Sequence, residues 1–143
     1  ECNEFNTTAK LDPPLASYAD MLELQNALKN SQIDCLTTLH QPSSPVNKEV
    51  AFYDAAYGCE ALSDALPLYY TKLVSSGLIS MTQLIKLTVS NPAKSIGLHK
   101  GKIQIGTKAD LILFNPKMTK FVQNTQSLYN GEELNGEVIQ IKI

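Results

Sequence analysis

The sequence predicts an α/β fold that passes into an all-β tail. Three observations predict it. Apolar residues recur at helical spacing in three stretches before residue 98. The stretch Ile33–Thr38 is short, β-branched and nearly continuous in apolar character, as a strand covered on both faces is. Beyond residue 98 the helical period disappears, and short apolar runs alternate with Asn–Pro and Asn–Gly turn dipeptides.

The elements follow in order. Pro13 and Pro14 force extended backbone and end the opening strand-like run, Lys10 to Leu15. Ser17 and Asp20 have the spacing of a capping-box variant, and Met21, Leu24, Ala27 and Leu28 mark the buried face of the helix they open. Asn30 and Ser31 stop it. Leu39 to Asp54 is a polar loop interrupted by Pro42 and Pro45, long enough to be functional or disordered. Gly58 to Ser76 reads as helix, with a stripe of Ala61, Leu62, Ala65, Leu66, Tyr69 and Leu73, a kink at Pro67 and Gly77 as its C′ residue. Ser80 and Gln83 form a second capping box. Asn91 is placed as N-cap of a short helix with Pro92 in its first position, and Gly97 ends it. Lys102–Ile105, Ala109–Phe114 and Val138–Ile143 read as strands. Ile139, Ile141 and Ile143 share one face of the last. Asn115-Pro116, Asn130-Gly131 and Asn135-Gly136 read as turns.

Composition limits the function. Hydrophobic residues make up 43% and charged residues 18% of 143, which suits a folded chain. The twelve basic residues are all lysines, and the net charge is −2. Both facts argue against nucleic-acid binding, which uses a basic patch with arginine readout. No apolar run has the length of a membrane span, and no signal peptide opens the sequence. A cytoplasmic protein is expected. Cys2, Cys35 and Cys59 form neither a disulfide framework nor a CxxC pattern, and read as reduced, core-facing thiols. His40 and His99 lie far apart, so a self-contained zinc site is not expected. The stretch as a whole reads as part of something larger. Two βα units cannot close a parallel barrel, and the β tail has too few strands for a sandwich of its own.

Several segments resemble dihydroorotases. Lys10-Leu11-Asp12-Pro13-Pro14-Leu15-Ala16 resembles their K-x-N-P-P-L-R segment. Ile33 to Ser44, including Thr38-Leu39-His40-Gln41-Pro42-Ser43, resembles their I-D-x-I-A-T-D-H-A-P-H-S segment. Lys48-Glu49, Phe52, Asp54-Ala55 and Gly58 follow the family's loop. Asn91-Pro92-Ala93-Lys94, Gly97-Leu98, Gly101, Gly106 and Ala109-Asp110-Leu111 match its exit from the barrel. Asn124-Thr125 and Gly131 echo its tail.

The resemblance implies an architecture. The fold class is α/β: the C-terminal portion of a TIM-type (β/α)8 amidohydrolase barrel, followed by part of a small all-β domain. Residues 1–98 would be the last βα units of the barrel, and residues 99–143 the C-terminal strands of the β-sandwich-like domain. It also implies zinc, held mainly by upstream histidines and a bridging lysine. The cofactor expectation for this stretch alone is therefore none. The remaining N-terminal part of the same barrel is an implied partner, and an oligomer is expected.

The family interconverts carbamoyl-aspartate and dihydroorotate. In it, an aspartate at the end of the eighth barrel strand binds metal and shuttles the proton. The matching position here is Leu39, which can neither ligate nor carry a proton. Three further positions depart from the pattern. Ser43 stands for a substrate-contacting histidine, Ala16 for an arginine, and Asp12 for an asparagine, where its charge would repel carboxylate reactants. Asp12, Ala16, His40 and Ser43 are thus expected to be vestigial substrate-site positions, with no catalytic residue and no metal ligand among them. His40 reads as a loop support. The resemblance therefore implies a non-catalytic homologue, and inactive members of the family act as structural partners of aspartate carbamoyltransferase. The competing expectations are an active cyclic amidohydrolase with a remodelled site, and a small independent binding module. Asp34/Asp54 and Glu132/Glu133 read as solvated or turn carboxylates, Tyr69-Tyr70 as packing, and Lys100, Lys102 and Lys108 as a solvated basic face.

Overall fold

A computed structural model describes residues 5–142, the side chains of residues 140–142 excepted. The reading of Cys2, and the Ile141 and Ile143 positions of the terminal alternation, lie outside what is described. The chain forms two compact units. One comprises Glu1–Leu24, Thr38–Ala65 and Phe121–Glu133; the other comprises Gln25–Thr37, Leu66–Lys120 and Leu134–Ile143. Among the described residues no helix is long and apolar enough to cross a membrane.

Helix α1 spans Tyr18–Lys29. Its start is fixed as the sequence predicts. The amide and hydroxyl of Ser17 donate to Asp20 Oδ2 at 3.1 and 2.7 Å, and the Asp20 amide donates back to Ser17 Oγ at 3.2 Å. The hydrogen bonds from Ser17 hold the Asp20 carboxyl below its usual range. The predicted buried face is only partly realised. Leu28 is buried, whereas Met21 and Leu24 are exposed.

The second unit has its own core. Leu28, Ile79, Leu84 and Leu87 form its buried centre, with Ile33, Leu36, Leu66, Tyr69, Leu73, Val74, Leu78 and Met81 packed around them. Ile33–Thr38, expected as a strand, forms no ladder. A strand needs a neighbouring backbone to receive its N–H groups. Here the Leu36 amide donates to the Leu87 carbonyl, a single bond of 3.0 Å.

The predicted helix over 58–76 starts later. A 3₁₀ turn at Leu62–Asp64 leads into α2, Ala65–Tyr69, which continues as a π-helical segment, Tyr70–Ser75. Leu62 is consequently exposed, and Leu68 rather than Leu62 is buried. The next helix behaves alike: α3, Met81–Ile85, opens with the full Ser80/Gln83 capping box and widens into a π-helical segment, Lys86–Ser90. At each widening a threonine hydroxyl bonds the carbonyl four residues back, Thr71 to Pro67 at 2.7 Å and Thr88 to Leu84 at 2.8 Å. Such back-bonding competes with the backbone ladder. Helix α4 spans Asn91–Ser95. Asn91 is not its N-cap. Its side-chain amide instead donates to the Asp34 carbonyl at 2.8 Å, and so pins the 33–38 stretch.

In the all-β tail, strands β1, Asp110–Phe121, and β2, Glu133–Lys142, form the two-stranded ladder seen among the described residues. Two expected turns lie inside it. Asn115-Pro116 is within β1, where an open strand edge tolerates the missing N–H. Asn135-Gly136 is within β2, where the Asn135 amide donates to Thr71 Oγ1 at 2.8 Å. Asn130-Gly131 does turn, with the Gly131 amide donating to the Val122 carbonyl at 2.9 Å. The expected strand Lys102–Ile105 does not form. It lacks a ladder partner among the described residues, and Ile103 and Ile105 are exposed. At the start of β1, Lys100 approaches Asp110 to 2.5 Å and Lys108 to 3.7 Å. The Lys100 hydrogen bond and the two cations keep the Asp110 carboxyl below its usual range. This pairing therefore stabilises above the ordinary carboxylate pKa and is lost as pH falls through the lowered one.

A close contact between the two strands depends on Gly136. Its φ is +98°, and a Cβ there would lie 2.1 Å from Phe114 Cζ. The Phe114 ring is itself held edge-on to Tyr70, with centroids 5.1 Å apart. Gly136→Ala is expected to destabilise the protein by about 2 kcal/mol or more, read as a lowered urea midpoint at unchanged slope.

Candidate functional site

All the positions singled out from the sequence, Asp12, Ala16, Leu39, His40 and Ser43, fall in the first compact unit. Asp12, Ala16, Leu39 and His40 are exposed, and Ser43 is half-buried.

The site is organised where two backbone stretches meet. His40 pairs with Cys59 in an isolated parallel bridge, and the Gln41 amide donates to the Cys59 carbonyl at 3.1 Å. Next to it, the Gly58 amide donates to the Lys10 carbonyl at 2.9 Å, which ties the segment leading into Asp12 to the same place. Only glycine permits this approach. Gly58 has φ +97°, and a Cβ there would sit 2.4 Å from the Gln41 carbonyl oxygen.

Leu39 has φ +45°, in the left-handed region. That conformation is uncommon for residues other than glycine, asparagine and aspartate, and costs roughly 1–2 kcal/mol in other residues. The side chain recovers little of that by burial, being 51% exposed. The backbone thus keeps a turn shape that a small polar residue would favour, with an apolar residue occupying it.

His40 hydrogen-bonds to the chain beyond Cys59. Its Nδ1 accepts hydrogen bonds from the amides of Ala61 and Leu62 at 3.2 and 3.3 Å. A neutral ring that accepts at Nδ1 carries its proton on Nε2. Neither nitrogen then offers a free lone pair to a cation. Metal-ligating histidines show the reverse arrangement, their second nitrogen donating to an acceptor. Leu39 contributes no ligand atom, and among the described residues no three His, Cys, Asp or Glu side chains are grouped to hold a metal. The described residues therefore do not fit a metal centre by themselves.

Two features of the site escape sequence reasoning. The first is Lys48, a lysine in a polar loop that looks like any solvated cation. It is buried, and its ammonium donates to the Thr7 carbonyl at 3.0 Å and the Ala56 carbonyl at 2.7 Å, while Thr7 Oγ1 donates to the Lys48 carbonyl at 2.8 Å. Burial above all pushes its pKa down. Burial likewise pushes the nearby Cys59 thiol up, leaving it a poor nucleophile. The second is the 2.5 Å hydrogen bond from Asn124 Nδ2 to Glu60 Oε2, which joins two stretches sixty-four residues apart. The expected polar loop is therefore ordered around an internal cation, with a 3₁₀ turn at Pro45–Asn47.

Comparisons with known proteins agree with this architecture. The chain is 40% identical over 133 residues to a dihydroorotase of Elusimicrobium minutum, covering 93% of this chain and 29% of that protein. It is 36% identical over 135 residues to a Helicobacter pylori protein named "Probable dihydroorotase-like protein", covering 94% of this chain and 35% of that one. Among solved structures, the L-hydantoinase (dihydropyrimidinase) from Arthrobacter aurescens superimposes with a TM-score of 0.86 at 26% identity, covering 94% of this chain and 33% of that chain. The chain spans about a third of the length of the curated relatives it matches. Its mixed helix and strand content accordingly belongs to a TIM-barrel-type superfamily. A family model described as "Amidohydrolase family" matches residues 20–141, and the chain belongs to that family.

Proposed function

We propose that this chain is the C-terminal part of a cytoplasmic, dihydroorotase-like protein of pyrimidine biosynthesis that has lost catalysis and serves as a structural partner of aspartate carbamoyltransferase. The observation that carries the reading is Leu39: an apolar side chain on a left-handed turn beside a histidine whose Nδ1 is already taken. General acid–base groups contribute about 10²–10⁴ in rate, and a leucine supplies none of it. Asp12, Ala16 and Ser43 depart from the dihydroorotase pattern in the same direction. The family's zinc would be held mainly by upstream residues. Leu39 cannot supply the proton-transfer group, so no reaction step is assigned to it.

A second reading is an active, zinc-dependent cyclic amidohydrolase with a remodelled site. The similarity to a protein named dihydroorotase favours it. A zinc-supplemented dihydroorotase assay on the full-length protein separates the two. It runs beside the variant Leu39→Asp, Ser43→His, Ala16→Arg, Asp12→Asn. The expected result is no turnover by the parent, and a clearly active parent would overturn the loss of catalysis. Partnership is tested separately by sedimentation of the full-length protein mixed with aspartate carbamoyltransferase. The expected outcome is a heavier joint species, and independent sedimentation of the two would refute the pairing.

The backbone reading has its own check. Leu39→Asn is expected to stabilise the protein by up to about 1 kcal/mol, because asparagine tolerates the left-handed region and little apolar burial is given up. A lowered urea midpoint would show that the Leu39 side chain, not the turn, dominates at this position.

A further inference from the structure

A cleft of about 540 Å³ lies within the second unit, between the end of α4 and the segment leading to β1. The sequence predicts a solvated basic face for Lys100 and Lys102. The structure places Lys94, Lys100, Lys102 and His99 around one concavity, and no carboxylate is among its lining residues. In a chain of net charge −2 this is a local reversal of sign. Asp110 engages Lys100 from the side of β1, at 2.5 Å. Among the described residues no ion pair engages Lys94 or Lys102, and both are exposed. Leu98 gives the cleft an apolar patch, and Ser90 and Gln104 offer a hydroxyl and an amide.

From this geometry we propose that the cleft binds a small organic molecule carrying a phosphate oligoanion. Lysine ammoniums are mobile point charges suited to phosphate oxygens. A concave wall concentrates their field. The volume lies in the range of small-molecule sites, and the apolar and amide groups beside the lysines suit the organic part of such a ligand. The cleft shares no residue with the stretch around Leu39 and His40, so the inference stands whether or not that site is active.

The test uses inorganic pyrophosphate and the full-length protein. Binding is followed by ³¹P line broadening, and the site is located by the protection of individual lysines from acylation, read by mass spectrometry. Pyrophosphate is expected to protect Lys94 and Lys102. The double variant Lys94→Gln, Lys102→Gln is expected to weaken binding at least about tenfold, since each removes a charge-assisted contact. Lys29→Gln, Lys117→Gln, both exposed and outside the cleft, is expected to leave it unchanged. No binding, equal binding by the cleft variant, or equal weakening by the control variant would each overturn the proposal. The last would reveal only diffuse surface charge.

Discussion

The candidate site depends on one close backbone crossing, where His40 and Gln41 run beside Gly58 and Cys59. The crossing exists because Gly58 has no side chain. A Cβ there would lie 2.4 Å from the Gln41 carbonyl oxygen, well inside contact distance. From this point the rest of the unit is arranged. Gly58 receives the Lys10 carbonyl, which brings in the Pro-Pro segment, and the chain beyond Cys59 turns its Ala61 and Leu62 amides onto His40. Lys48 then closes the intervening loop by placing an ammonium between the Thr7 and Ala56 carbonyls. A buried cation costs desolvation, and the downward shift of its pKa is the sign of that cost. Hydrogen bonds to two carbonyls offset it and leave those acceptors satisfied.

This scaffold is specific in its hydrogen bonding. Hydrogen bonds hold His40, the loop around Lys48 and the turn at Thr7 in place. A strained backbone conformation is ordinarily retained where a functional side chain exploits it. At Leu39 the conformation is held with an apolar side chain that is half exposed. In the second unit a core around Leu84 lies beside a lysine-lined cleft, and Asn91 belongs to both the cleft wall and the contact that pins the 33–38 stretch.

Much of the local structure was legible in the sequence. The Ser17/Asp20 and Ser80/Gln83 caps form as their spacing implies, because a hydroxyl and a carboxylate or amide three residues apart reach each other's backbone without outside help. Gly77 and Asn130-Gly131 turn the chain for equally local reasons. Ile33–Thr38 and Lys102–Ile105 misled, because their β-branched residues state a preference for extended backbone but cannot supply the neighbouring strand that a ladder needs. Asn115-Pro116 and Asn135-Gly136 misled in the opposite direction. Their turn chemistry was overridden by the β1–β2 ladder, and Gly136 is needed there for the Phe114 ring, not for a turn.

The sequence by itself determined the family, the caps and the absence of a proton carrier at position 39, since each is a matter of residue type and near-neighbour spacing. Only the tertiary structure decided that His40 spends its Nδ1 on two amides, that Lys48 is an internal clamp, and that Lys94 and Lys102 share one cleft. The first two rest on contacts between residues far apart in the chain, and the third on the path of the backbone between Lys94 and Lys102. A side chain's type fixes what it can bond, but the fold alone fixes which distant group is within reach.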